Sequence, residues 1–267
     1  MHIFVINLEK DRARRESIQK QLEKLNLSYE FFPGVLGSVL SQVELAKCYN
    51  DLKAKWNKGF SLTPAEIGCA LSHLGVYREI IRRQLGCALI LEDDVILNEN
   101  LPQYLSQLES MIQKDMAEVI LLSPAEGRQQ RQCRKIGTGG GKIIPFMSGF
   151  YASSYVVTQY AARALLKELY PVGDVADCWE RLKRYRVADI FMINPPLTVQ
   201  NQVEFGSSTT QDIKRQGALF GWRKLVHKGR RAITKLLDCF YGIYRRHFVP
   251  YAGVKPPARD SQNGDVL

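Results

Sequence analysis

No apolar stretch in this chain of 267 residues approaches the roughly 20 residues that a bilayer span requires. Any membrane contact is therefore expected to be peripheral. Near the start only Ile3 to Ile6 form an apolar run before Glu9, Lys10, Asp11 and Arg12, too short for the apolar region of a signal peptide. The six cysteines, at 48, 69, 87, 133, 178 and 239, contain no CxxC pair, which argues against a zinc site or a disulfide framework. Cys69 and Cys87 lie in apolar patterns and read as reduced core thiols, so a reducing compartment is expected. Internal repeats and long low-complexity tracts are missing as well. What remains, with 45% hydrophobic residues, is the composition of a globular protein large enough for one domain and an appendage.

Acidic residues are scarce in one place only. Between Lys214 and His247 stand Lys214, Lys224, Lys228, Lys235 and Arg215, Arg223, Arg230, Arg231, Arg245, Arg246, against the single acid Asp238. Nearly all of the net charge of +10 is therefore local, and the first 213 residues read as a near-neutral domain. Within 218–248 Leu219, Trp222, Leu225, Val226, Ile233, Leu236, Phe240, Ile243, Tyr244 and Phe248 recur every three or four positions. This is a basic amphipathic helical pattern, interrupted at Gly229, which suits either an anionic membrane surface or a core-packed helix with a basic outer face. The organisation expected is thus a near-neutral globular domain over 1–213, a basic amphipathic segment over 214–258 and a disordered tail over 259–267.

The first domain opens as β-α-β: a strand over 1–7, a helix from Asp11 to Leu25 with Ile18, Leu22 and Leu25 at helical spacing, and a strand from Tyr29 to Phe32. Thr63-Pro64-Ala65-Glu66 has the form of a helix start, with a threonine cap, proline at the first helical position and glutamate three residues after the cap. That helix should run to about Gln84 and lead through Gly86 into a buried strand. Further on come a helix over 101–114, a strand over 119–122, a Gly-rich loop over 123–142, a strand over 148–157, a helix begun by Thr158, and a strand over 187–193 ended by Pro195-Pro196.

The most informative stretch is Cys87 to Leu97, CALILEDDVIL, where an apolar strand runs straight into Glu92, Asp93 and Asp94. Carboxylates at the end of such a strand sit where α/β sheets place ligands. Three like charges repel, and a divalent cation with a preference for oxygen ligands is the usual compensation; for an acidic triplet taken alone, a solvated turn is the commoner reading. Strand alternation predicts Glu92 and Asp94 on one side and Asp93 on the other.

Several segments together resemble glycosyltransferase family 25, the bacterial lipooligosaccharide and lipopolysaccharide galactosyltransferases with distant collagen galactosyltransferase relatives. They are Val5-Ile6-Asn7-Leu8 with Arg14-Arg15, then Leu62 to His73 (LTPAEIGCALSH), Ala88 to Val95 (ALILEDDV), Ser148-Gly149 through Tyr155 to Ala161, Val175-Ala176-Asp177 with Trp179, and Pro195-Pro196-Leu197. The resemblance implies an α/β, GT-A-like, Rossmann-type sheet that binds a nucleotide sugar. It further implies an inverting, metal-dependent hexosyltransferase, of β-galactosyltransferase type, moving galactose from UDP-galactose to a lipid-linked oligosaccharide. Asp94 is then the direct ligand of Mn²⁺ or Mg²⁺, with Glu92 a second ligand or a partner of the donor's ribose, while a third ligand cannot be picked out. Asn7, Leu8, Arg14, Ser72, His73, Glu92 and Asp93 fall to nucleotide-sugar binding. Asp177 is the general base, with Asp174 as the competing choice and a helix cap as the plain alternative; Trp179 would offer a face to a sugar ring. The family commonly has glycine where this chain has Ala65 or Tyr151, so loop geometry there is expected to differ.

The location that follows is cytoplasmic, peripheral on the inner face of the bacterial inner membrane, held there by the basic segment. Two other classes compete: a basic nucleic-acid-binding protein, for which no motif accompanies the charge, and an inactive scaffold that kept the fold.

Overall fold

The computed structural model describes residues 1–127, 133–149, 151–201 and 236. The chain opens with β1 (His2–Asn7), α1 (Arg12–Lys24) and β2 (Glu30–Pro33), followed by α2 (Gln42–Cys48) and α3 (Asp51–Lys58). The long α4 (Pro64–Arg82) begins as the sequence predicts. Thr63 Oγ1 accepts from the Glu66 amide, and the Glu66 carboxylate accepts from the Thr63 amide. Two donors that a helix start would leave unpaired are thereby satisfied.

Then come β3 (Cys87–Glu92), β4 (Val95–Leu97), α5 (Leu101–Met111), β5 (Glu118–Leu121), β6 (Glu126–Gly127), β7 (Arg134–Ile136), β8 (Gly141–Ser148) and β9 (Ser154–Thr158). The helix α6 (Gln159–Leu169) is capped by Thr158, whose hydroxyl accepts from Ala161 N. The remainder is α7 (Trp179–Arg184), β10 (Asp189–Asn194) and β11 (Thr198–Gln200).

The main sheet has the order β2-β1-β3-β9-β5-β10-β8-β6, with β7 paired to β8. β1 is parallel to both β2 and β3, and β5 is parallel to β10, while β9 runs antiparallel between β3 and β5. Both faces are covered, which is why the strands read as apolar runs with little polar alternation. Phe4, Ile6, Ala88, Ile90, Tyr155 and Val157 meet Leu74 and Tyr77 of α4, Leu165 of α6 and Trp179 of α7. From the same strands Ile3, Val5, Leu89, Leu91 and Val156 face Ile18 and Leu22 of α1 and Leu105 and Leu108 of α5.

Three expectations are corrected. The strand predicted over 148–157 is two: β8 ends at Ser148, and the chain turns through Gly149 (φ 153°) and Tyr151 (φ 76°) before β9. The Gly-rich stretch 123–142, predicted as a loop, carries β6, β7 and the start of β8. Residues 35–62, for which the sequence reading named no element, carry α2 and α3. The basic segment 214–258 and the tail 259–267 lie outside the described residues, except for Leu236, which is helical and exposed. Among the described residues no helix is long and apolar enough to cross a membrane.

Candidate active site

β1 has its crossover through α1 to β2 on one side, and the chain returns through α4 to β3 on its other side, with α1 and α4 on opposite faces. The carboxyl ends of β1 and β3 therefore flank a switch point, the place where open α/β sheets leave a crevice. A cavity of about 980 Å³ opens there. Its floor is Glu92, Asp93 and Asp94. Its walls come from Lys10, Asp11 and Arg14 before and on α1, residues 34–38 after β2, the first turns of α4, the 151–152 turn, residues 175–177, and Gln200 of β11.

Nine of the residues singled out from the sequence converge here. Leu8, Arg14, Ser72, His73, Glu92, Asp93, Asp94 and Asp177 line the cavity, and Asn7 supports it from beneath by donating through Nδ2 to Asp93 Oδ2 at 2.7 Å. The predicted alternation of the three acids does not hold. β3 ends at Glu92, and Asp93 and Asp94 occupy the turn into β4, so the period of two stops where the carboxylates begin and all three face the same cavity.

The acids have separate surroundings. Arg14 Nη1 lies 3.5 Å from Asp93 Oδ1 and 3.4 Å from Asp94 Oδ2, and Gln200 Nε2 donates to Asp94 Oδ2 at 3.1 Å. The other oxygen, Asp94 Oδ1, is buried without a hydrogen-bond partner. Burial, with the Glu92 charge added, raises the Asp94 pKa to about 7 in spite of Arg14. Burial also raises Asp93, against the hydrogen bond from Asn7.

Glu92 turns toward α4. Its Oε1 lies 3.2 Å from His73 Nε2 and accepts from Cys69 Sγ at 3.6 Å. His73 Nδ1 in turn sits 2.8 Å from the Tyr155 hydroxyl, which is 2.7 Å from that of Tyr77. With Glu92 ionised, one consistent chain results: Tyr77 donates to Tyr155, Tyr155 to His73 Nδ1, and His73 Nε2–H to Glu92. His73, which the resemblance assigns to nucleotide-sugar binding, has both ring nitrogens engaged within the protein and fixes the position of Glu92.

Ser72 has its hydroxyl committed to the fold. It accepts from Val35 N at 2.8 Å and donates to Gly68 O at 2.7 Å, tying the 34–38 wall to α4. Gly37 and Gly68 let these backbones touch, for a Cβ on Gly68 would lie 2.4 Å from Val35 O.

Asp177 is half-buried on the cavity wall. Its Oδ2 accepts from Tyr151 N at 3.0 Å, and burial raises its pKa. It is not a helix cap, since the N-cap of α7 is Cys178. Asp174 does not reach the main cavity; its buried carboxylate accepts from Arg181 Nε at 2.6 Å and pairs with Lys58 at 3.6 Å. Trp179 offers no face to a sugar, because it is fully buried edge-on to Tyr155, with Nε1 donating to the Tyr151 carbonyl. Tyr151 does stand in a left-handed conformation (φ 76°), in line with the glycine the family commonly has there. Cys69, Gln200 and the 34–38 wall were missed from sequence. The four-residue spacing of Cys69 and His73 was a usable signal for the first; nothing local announces Gln200.

A switch-point cavity with an acidic floor, in a sheet covered on both faces, defines the GT-A-like, Rossmann-type class. The chain belongs to glycosyltransferase family 25 (LPS biosynthesis protein), whose profile matches residues 1–179. A Haemophilus influenzae protein named "Putative glycosyltransferase" is 34% identical, over 86% of this chain and 79% of its own. Procollagen galactosyltransferase 1-A of Xenopus laevis is 34% identical over 35% of this chain. A Mus musculus relative, 27% identical over 61% of this chain, is named "Inactive glycosyltransferase 25 family member 3". The chain spans 16% of the Xenopus protein and 28% of the mouse one.

Proposed function

We propose that this glycosyltransferase moves a hexose, galactose, from UDP-galactose to a hydroxyl of a lipid-linked oligosaccharide with inversion at the sugar carbon. The observation that carries the reading is Asp94, a buried carboxylate on the cavity floor with one oxygen lacking any partner. Such an atom is costly unless a ligand completes it. Asp94, and Glu92 beside it, offer carboxylate oxygen, which suits in kind a hard divalent cation, Mn²⁺ or Mg²⁺. Asp94 would hold the ion, with Glu92 beside it. When bound, the ion supplies positive charge that stabilises a departing diphosphate.

The chain's own residues account for the rest. Arg14, fixed at the carboxylates, presents a guanidinium suited to a phosphate oxygen. Asp177, with its basicity raised by burial, takes the proton of the acceptor hydroxyl. That oxygen forms the new bond to the sugar carbon as the bond to the diphosphate breaks, and UDP leaves with the electron pair. The galactosyltransferase name of the Xenopus relative and the LPS description of the family support the donor and acceptor classes. The basic segment 214–258 would hold the enzyme on the anionic inner face of the membrane, where a lipid-linked acceptor lies.

Release of UDP from a panel of UDP-sugars in the presence of Mn²⁺ tests the reading. Hydrolysis confined to UDP-galactose is expected, and no release from any donor would instead favour an inactive member of the family. Asp177→Asn should lower kcat at least about a hundredfold with donor KM little changed; the opposite pattern would move Asp177 into the donor pocket.

A further inference from the structure

Cys69 and His73 belong to no step above, and Glu92 enters only beside Asp94. Cys69 and His73 stand four residues apart on α4, so one helix face presents both. β3 brings its last residue, Glu92, against them. One ligand atom from each side chain lies within 4.8 Å of the other two, and all three residues line the cavity. Among the described residues this is the group of three such side chains whose ligand atoms come that close together.

We propose that Cys69 Sγ, His73 Nε2 and Glu92 Oε1 form a binding site for a borderline-soft divalent cation, with Zn²⁺ the reference ion and the fourth coordination position open to the cavity. Bond lengths decide the fit. With Zn–S about 2.3 Å and Zn–N and Zn–O about 2.0–2.1 Å, tetrahedral angles place sulfur about 3.5 Å from oxygen and nitrogen about 3.3 Å from oxygen. The observed separations are 3.6 Å and 3.2 Å. Those two pairs already stand at coordination spacing, and sulfur and nitrogen lie within 4.8 Å of each other, against about 3.6 Å in a tetrahedral site; binding requires the thiol proton and the imidazole proton on Nε2 to give way to the ion.

The surroundings supply what a ligating histidine needs on its other nitrogen. His73 Nδ1 faces the Tyr155 hydroxyl at 2.8 Å, and Tyr77 holds that hydroxyl at 2.7 Å. With the ion on Nε2, Nδ1–H donates to Tyr155, which fixes the ring's tautomer and direction. A thiolate and an imidazole also separate this site chemically from Asp94, whose oxygens suit harder ions. The inference does not require sugar transfer. It adds that Zn²⁺ withdraws Glu92 from the acidic floor, so the two ions compete for one carboxylate.

Co²⁺, added to the metal-free full chain, is the spectroscopic probe. One equivalent should give a thiolate-to-cobalt charge-transfer absorption, which Zn²⁺ then displaces. Cys69→Ser should abolish the band, and His73→Gln should weaken Co²⁺ binding at least about tenfold. Asp94→Asn should keep the band, so that failure of the Asp94 reading and failure of this one are told apart. On the unsubstituted chain, Zn²⁺ should slow alkylation of Cys69 while leaving Cys48 reactive, as mapped by peptide mass. A band that survives Cys69→Ser, or alkylation of Cys69 indifferent to Zn²⁺, overturns the proposal.

Discussion

Replacing Asp94 by asparagine should stabilise the metal-free chain while disabling it. The Asp94 carboxyl has a pKa of about 7 in the fold against an ordinary 3.8, through burial and the Glu92 charge. Between pH 4 and 7 the folded chain therefore binds more protons than the unfolded one, and stability falls as pH rises through that window. Above it the loss is complete and constant. The gap between the two pKa values corresponds to about 4 kcal/mol at pH 8, and to about 2 kcal/mol at pH 5, where part of the loss has accrued. Asparagine has nearly the same shape, can still accept from Gln200, and never ionises. Urea unfolding in EDTA at the two pH values should place Asp94→Asn above the parent at both, with the difference about doubling at pH 8. A variant less stable than the parent, or a difference that does not change with pH, would refute the account of Asp94 as a buried charge that Arg14 only partly compensates. Mn²⁺ adds the second half of the test: at a hundredfold excess over its Kd it should return about 2.7 kcal/mol to the parent and nothing to the variant.

Gly68→Ala should push residues 34–38 away from α4, since its Cβ would meet Val35 O at 2.4 Å and Gly37 N at 2.6 Å; a stability loss of about 1–3 kcal/mol with weaker UDP binding by calorimetry is expected. Arg181→Met leaves the buried Asp174 carboxylate with Lys58 at 3.6 Å as its remaining ion-pair partner, and thermal unfolding should report a loss of about 3 kcal/mol. In the basic segment, Arg230→Gln with Arg231→Gln should weaken sedimentation with anionic vesicles about tenfold or more, at about 1 kcal/mol per charge, and added salt should erase the difference.

Local chemistry made some elements readable from sequence. The Thr63-Pro64-Glu66 start satisfies its own helix, and the apolar run before Glu92 is a strand buried on both faces. The pair α2 and α3 escaped because Val43, Leu52 and Trp56 are exposed while Leu45 and Ala54 pack on the core, so their apolar residues form no single core-facing stripe. The Ser41 to Glu44 capping box was the available clue. The break between β8 and β9 rests on backbone conformation at Gly149 and Tyr151, which no side-chain periodicity encodes. What separates Asp177 from Asp174 lies in tertiary partners, invisible in sequence: Arg181 and Lys58 claim Asp174, while Asp177 reaches the cavity. Trp179 was misjudged for the converse reason, since a large aromatic beside a site is as readily the core beneath it.

The acidic floor survives in the fold because its compensation comes from both sides of the sheet. Arg14, from the α1 face, reaches Asp93 and Asp94, while His73 and Cys69, from the α4 face, take Glu92. Neither helix alone could serve three adjacent carboxylates, and only at a switch point do helices from opposite faces converge on the end of one strand. The division is incomplete at one atom, Asp94 Oδ1. A fully paired floor would be more stable, so that unpaired oxygen is where the floor costs the fold most.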